Sequence, residues 1–234
     1  MENWFPALLL KYPFLPVYMF AVIVALWRYP RYFDTQMRYF PVLLMYTLAT
    51  EILGVMTIEY NDISLFVNDL FRNYNWLIYN IYLILFTLYF LHVYYQVIQK
   101  TSHRRLILFA AGGFLFICAL NPLFQSFRYE MQLASYLAGS AVLVLASVLY
   151  LIHRRARSGR WFSERDLLWW VSVGLAIFYT GFIPVTIIRN FNSLYELADP
   201  TIIRLVLQGL IIVMYGCIIV GFLRMRSLRV YLNQ

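Results

Sequence analysis

Seven long runs of apolar residues, separated by short polar or turn-forming stretches, divide the chain. A helix that crosses the hydrocarbon core of a bilayer needs roughly 20 predominantly apolar residues. The runs cover residues 13–28, 39–57, 75–97, 105–122, 132–152, 167–188 and 201–223. The pattern therefore predicts an all-α polytopic membrane protein in which residues 1–234 form a single domain of seven transmembrane helices.

The connection between the second and third runs has a helical pattern of its own. Residues 61–71, NDISLFVNDLF, place five apolar side chains on one helical face and offer Asp62 as an N-cap; the five are Ile63, Phe66, Val67, Leu70 and Phe71. We expect a short interfacial helix on the outer membrane surface. The alternative is a helix that folds inward and covers the bundle.

The basic residues predict the orientation of the helices. Most of them follow the first, third, fifth and seventh runs: Arg28, Arg31, Arg38, Lys100, Arg104, Arg105, Arg154, Arg155, Arg157, Arg160, Arg165, Arg224, Arg226 and Arg229. Cytoplasmic loops carry the excess of Lys and Arg, so the N-terminus is expected outside and the C-terminus in the cytoplasm. Arg154, Arg155, Arg157 and Arg160 are candidates for contact with a cytoplasmic partner or with anionic lipid.

Composition agrees with a lipid environment. Of the 234 residues, 62% are hydrophobic and 13% are charged, whereas a soluble domain is nearer half apolar and about a quarter charged. The formal charge of +8 could indicate nucleic acid. In a membrane protein it reflects arginines kept on the cytoplasmic side, so the lipid bilayer is the expected partner and nucleic acid is not.

One carboxylate interrupts the second run. Glu51 lies in YTLATEILGV, about two helical turns below the outer end at 1.5 Å per residue. Placing a charged group in lipid costs at least a few kcal/mol, so Glu51 should face the interior of the bundle and find a partner there. Thr47 and Gly54 share its helical face, and Arg204 is the expected countercharge.

Other polar residues occupy the same predicted depth. The candidate ligand-binding residues are Glu51, Asn75, Tyr79, Asn80, Arg204 and Gln208. Three interpretations stay open: a structural ion pair of Glu51 with Arg204 plus interhelical hydrogen bonds, an outward-facing pocket for a small ligand, and an ion or proton pathway. Pro184, which lacks an amide hydrogen, is a candidate hinge in the sixth helix.

Candidate chemistry for catalysis, metals or cofactors is sparse. His92, His103 and His153 lack a metal-ligand spacing, and neither a G-x-S-x-G nor an H-E-x-x-H motif occurs. A retinal Schiff base needs a lysine in the last helix, but Lys11 and Lys100 are the only lysines. We therefore predict no enzyme activity, no metal site and no cofactor, retinal included.

Glu51 and the stretch that opens the third helix carry a resemblance. Glu51 followed by NYNWLIYNIYLILFTLYF, residues 73–90, resembles small bacterial proteins with seven transmembrane helices. The resemblance implies a place in the bacterial inner (cell) membrane and a sensory role beside signalling proteins.

The expected function follows from the polar layer and the basic loops. We expect a receptor-like or sensory protein whose outward-facing pocket binds a small molecule and whose basic loops signal to a cytoplasmic protein. A small-molecule or proton-coupled transporter is one alternative. A membrane subunit or effector that binds another protein is another.

Overall fold

The computed structural model describes residues 11–59, 75–159, 162, 165–195 and 199–225. Within them lie seven α-helices: α1 Phe14–Arg28, α2 Phe40–Glu59, α3 Asn75–Val97, α4 Thr101–Leu120, α5 Leu133–Ser158, α6 Leu167–Tyr195 and α7 Pro200–Arg224. Short 3₁₀ turns, Tyr29–Arg31 and Asn121–Leu123, follow α1 and α4. The all-α prediction is confirmed for this part of the chain. The predicted interfacial helix, residues 61–71, lies outside the described residues.

Five of these helices are long and apolar enough to cross a membrane, namely α3, α4, α5, α6 and α7. Helix α1 has 15 residues, and the apolar stretch of α2 ends at Met56. Large apolar side chains point away from the protein, such as Phe109 and Phe116 of α4, which are 78% and 64% exposed. These features support a membrane protein with transmembrane helices, while seven spans remain a prediction.

Six helices form a ring, and α4 lies outside it. In the order α1, α2, α3, α5, α6, α7, each helix packs against the next, and α7 closes the ring on α1. Helix α4 packs against α3 and α5. Close approach of α6 and α7 depends on Gly174, where a Cβ atom would lie 3.0 Å from the backbone oxygen of Met214.

The basic residues gather at one end of the ring, here called the basic end. Helices α1 and α7 both end there, since the Arg28 guanidinium donates to the Leu223 carbonyl over 3.3 Å. The described basic residues of this end are Arg28, Arg31, Arg38, Lys100, Arg104, Arg105, Arg154, Arg155, Arg157, Arg165 and Arg224. The opposite end, where α2 ends and α3 and α5 begin, is here called the Glu51 end. Which end faces the cytoplasm remains a prediction.

Hydroxyl groups join three helices in the half of the bundle nearer the basic end. The Tyr94 hydroxyl of α3 lies 3.0 Å from Oγ of Ser147 in α5 and 2.9 Å from Oγ of Ser172 in α6. Ser172 also donates to the Leu168 carbonyl over 2.6 Å. All three hydroxyl-bearing side chains are fully buried. The contact therefore fixes the relative positions of α3, α5 and α6.

Replacing Tyr94 should destabilise the bundle. In Tyr94→Phe the buried Ser147 loses this hydrogen-bond partner, while Ser172 keeps its bond to the Leu168 carbonyl. Leaving a buried polar group unsatisfied costs about 1–3 kcal/mol. We expect a melting temperature several degrees below wild type in detergent. Tyr39→Phe is the matched control, since Tyr39 is 57% exposed. Equal melting temperatures for the two variants would contradict this role.

Candidate functional site

Glu51 lies inside the ring of helices, surrounded by tyrosines. Its side chain is partly buried on α2. Five phenol groups lie close enough to interact electrostatically with its carboxylate; they belong to Tyr18 of α1, Tyr79 and Tyr82 of α3, Tyr136 of α5 and Tyr215 of α7. We call Glu51 and these five residues the tyrosine cluster. The tyrosine cluster therefore brings side chains of five helices, α1, α2, α3, α5 and α7, near one carboxylate.

Thr47 ties part of the tyrosine cluster to α2, one turn from Glu51. Its buried hydroxyl donates to the Leu43 carbonyl over 2.9 Å and lies 2.9 Å from the Tyr82 hydroxyl. Since its single proton goes to Leu43, Thr47 accepts the proton of Tyr82. The phenol of Tyr215 lies beside the same threonine, and the Tyr18 ring packs edge-on against Tyr215 at 4.2 Å between centroids.

Gly54 makes room for another member of the cluster. It is buried on α2, three residues beyond Glu51, and a Cβ atom at this position would collide with the hydroxyl of Tyr79. Glycine therefore lets the phenol of α3 reach the backbone of α2 beside the carboxylate. Thr47 and Gly54 both lie on the helical face that the sequence assigned to Glu51.

Arg204 lies elsewhere. Its side chain is exposed and lines a groove of about 510 Å³ formed by α6, α7 and the residues at the start of α1. Gln208 and Arg189 line the same groove. Among the described residues, no ion pair joins Arg204 to Glu51. Glu51 and Arg204 both lie towards the Glu51 end of their helices. Glu51 faces the interior of the ring, whereas Arg204 faces the groove.

Two of the candidate site residues are asparagines of α3, and the structure describes the contacts of one of them. Asn80 is buried, and its amide group donates to the carbonyls of Phe127 and Glu130 over 2.9 and 3.0 Å. Both amide protons therefore hold the connection between α4 and α5. Asn75 is the first residue of α3, and its side chain lies outside the described part of the structure.

Pro184 lies inside α6, with its ring exposed. Because proline has no N–H group, the carbonyl of Thr180 one turn earlier loses its intrahelical donor. Thr186 is buried, and its hydroxyl has no hydrogen-bond partner among the described residues. The backbone of α6 is thus weakened here, while a hinge motion remains a prediction.

The predicted partner-contact arginines lie at the basic end. Arg154 forms an ion pair with Asp166. Arg155 and Arg157 are exposed on the last turns of α5. Arg160 lies outside the described residues.

Asp166 and most of the tyrosine cluster were not predicted from the sequence. Asp166 stands directly before the apolar run LLWW, the position of a helix N-cap, and that pattern could have identified it. Nothing in the sequence reports that Tyr18, Tyr136 and Tyr215 turn towards Glu51, because helical spacing gives a face but not the neighbouring helix.

Comparisons with known proteins add no identity: no protein-family model, no curated protein and no solved structure matches the chain. Among the described residues, no group of three or more His, Cys, Asp or Glu side chains could hold a metal ion. The arrangement around Glu51 offers instead a carboxylate, several phenol hydroxyls and aromatic ring faces.

Substitution of Gly54 tests the contact with Tyr79. Gly54→Ala forces the phenol to move and should lower the free energy of unfolding by about 1–3 kcal/mol, as overpacking does. Gly112→Ala is the matched control, because a Cβ atom there meets nothing within 4 Å. Tyr79→Phe removes the colliding oxygen, so the alanine should cost less in that background. An equal cost in both backgrounds would contradict the contact.

A double-mutant cycle tests whether Glu51 and Arg204 act independently. Because no ion pair joins them, the effects of Glu51→Gln and Arg204→Gln on the free energy of unfolding should add to within about 0.5 kcal/mol. Thermal or chemical unfolding in detergent gives the four values. A coupling well above that limit would show that the two side chains interact in the native protein.

Proposed function

We propose that the chain is a receptor-like, sensory protein of the bacterial inner membrane. All seven helices would span the bilayer, with the N-terminus outside and the C-terminus in the cytoplasm. The gathering of the described arginines at the basic end supports this orientation, because Lys and Arg are enriched in cytoplasmic loops. The Glu51 end would then face outward, and a ligand would enter from there.

The tyrosine cluster is the observation that carries this proposal. Glu51 faces the interior of the ring, and among the described residues no basic side chain pairs with it. A carboxylate in a medium of low dielectric constant attracts positive charge more strongly than it does in water. The faces of tyrosine rings attract cations too. The site therefore suits a small organic cation, or a neutral molecule with several hydrogen-bond donors.

A signal could pass from this site because several helices meet in it. Binding shifts a conformational equilibrium only if the ligand favours one arrangement over the other. A ligand between Glu51 and phenols of α1, α3, α5 and α7 would change how these helices pack. Movement of α6 about Pro184 would carry the change to the basic end, where Arg154, Arg155, Arg157 and Arg160 would contact a cytoplasmic signalling protein.

The same carboxylate supports a second candidate function, a proton-coupled transporter. Such a carrier needs an interior acidic group that gains and loses a proton, and Glu51 lacks a cationic partner in the described structure. It also needs the site to open alternately to both sides of the membrane. The third candidate, a subunit that binds another membrane protein, draws support only from the exposed apolar surface.

Ligand-induced stabilisation tests the receptor proposal. Purified protein in detergent is melted with and without a library of small amines and polar metabolites. At least one compound should raise the melting temperature of wild type but not of Glu51→Gln, since a ligand that binds only the folded state stabilises it. Asp34→Asn, which removes an exposed carboxylate at the basic end, should respond like wild type.

Failure of every compound to shift wild type, or an equal shift in Glu51→Gln, would contradict a ligand site at Glu51. If a compound does bind, its flux into proteoliposomes separates the two leading candidates. The receptor proposal predicts no uptake above that of empty liposomes, whereas a carrier accumulates the compound when a pH gradient is imposed.

A further inference from the structure

A cavity of about 620 Å³ opens at the basic end. Its walls come from the connection after α1, the end of α3, the end of α5, the start of α6 and the residue after α7. Its charged lining residues are Arg154, Arg157, Arg165 and Asp166. A cavity of this size is comparable to the pockets of about 300–1,000 Å³ that hold small ligands.

The charges of the described residues that line this cavity do not balance. Asp166 has three partners: one carboxylate oxygen accepts from the backbone N–H of Leu168 over 3.0 Å, and the other accepts from the Tyr150 hydroxyl over 2.7 Å and pairs with Arg154. Arg157 and Arg165 are exposed in the cavity, and neither pairs with a carboxylate among the described residues. Among the described residues, the positive charges of Arg157 and Arg165 therefore have no compensating carboxylate.

Tyr32, Thr35 and Gln36 add polar groups to the cavity lining. The Tyr32 hydroxyl donates to the Ala25 carbonyl over 2.8 Å, and burial, together with the neighbouring Tyr89 and Tyr29, raises the pKa of Tyr32 well above its ordinary value. Thr35 donates to the Tyr32 carbonyl over 2.7 Å and accepts from a backbone N–H over 3.1 Å. The exposed side chain of Gln36 makes no hydrogen bond among the described residues and can donate to a ligand.

We propose that this cavity binds a phosphate group carried by an organic molecule. Arginine guanidinium groups match the oxygens of phosphate with paired hydrogen bonds. Arg157 and Arg165, which pair with no carboxylate in the part of the chain that the structure describes, can provide them. The volume exceeds that of a bare phosphate ion, and apolar side chains such as Met37, Val97 and Met225 line the remainder. The inference does not rest on the ligand proposed for Glu51.

Two sources could supply such a group, a soluble phosphorylated metabolite or the headgroup of an anionic lipid. Calorimetric titration of the full chain in a nonionic detergent, at fixed ionic strength, tests the first with ATP as the probe. Titration with dihexanoyl phosphatidylglycerol below its micelle concentration tests the second, with dihexanoyl phosphatidylcholine as the neutral comparison.

The variants are chosen to remove equal charge inside and outside the cavity. Arg157→Gln with Arg165→Gln should weaken binding of the active probe by at least about tenfold, because charge-assisted contacts are the strong ones. Arg31→Gln with Arg105→Gln removes two exposed arginines of the same end that do not line the cavity, and it should bind like wild type. Arg157→Lys with Arg165→Lys should keep part of the affinity that the glutamine variant loses. Melting curves without probe check that each variant is folded.

Each of the following results either supports or overturns the proposal. Saturable one-to-one binding of ATP that depends on Arg157 and Arg165 supports a metabolite site. The same dependence for phosphatidylglycerol alone supports a headgroup site. Absence of binding to both probes, or an equal loss in the two double variants, overturns the proposal, because the second outcome reflects only the general positive charge of this end.

Discussion

Polar groups inside a bundle that lies in lipid must find their partners within the bundle, since no water is available to them. In this chain the constraint is met mainly by tyrosine and its small hydroxyl-bearing neighbours. Thr47 and Tyr82 join α2 to α3, and Tyr94 joins α3 to two further helices through serines. Glu51 differs from these hydrogen-bonded groups, because it has phenol neighbours but no cationic partner among the described residues. Under the proposed function, this carboxylate would be the group at the Glu51 end that responds to a ligand or a proton.

At the basic end, a carboxylate instead of a group of hydroxyls provides the polar contacts between helices. Asp166 caps α6, accepts from Tyr150 and pairs with Arg154, so one carboxylate joins the end of α5 to the start of α6. Because the single negative charge of Asp166 is already paired with Arg154, it leaves Arg157 and Arg165 without a carboxylate partner among the described residues.

How much could be predicted differs between the helices and the site. Apolar runs are long and strongly patterned, so the helices lie close to the predicted segments; α5 and α6 continue further, to Ser158 and Tyr195. The additional turns of α5 and α6 are largely polar, so their hydropathy does not distinguish them from a polar loop. The helical face of Glu51 followed from its spacing to Thr47 and Gly54. Its neighbours did not follow, because depth does not determine which helix lies opposite. Arg204 has a predicted depth close to that of Glu51 and carries the opposite charge, yet it faces a groove formed by α6, α7 and the start of α1.

The central claim is that Glu51 lies in the interior of the ring, independent of Arg204. Labelling with a hydrophobic carbodiimide tests it most directly, since the reagent partitions into the membrane and modifies carboxyl groups that are not held in ion pairs. Mass spectrometry of wild type, Glu51→Gln and Arg204→Gln would locate the adduct. The account predicts labelling at Glu51 in wild type, at a rate that Arg204→Gln leaves unchanged. Labelling that appears only in Arg204→Gln, or no labelling of Glu51 in either protein, would contradict it.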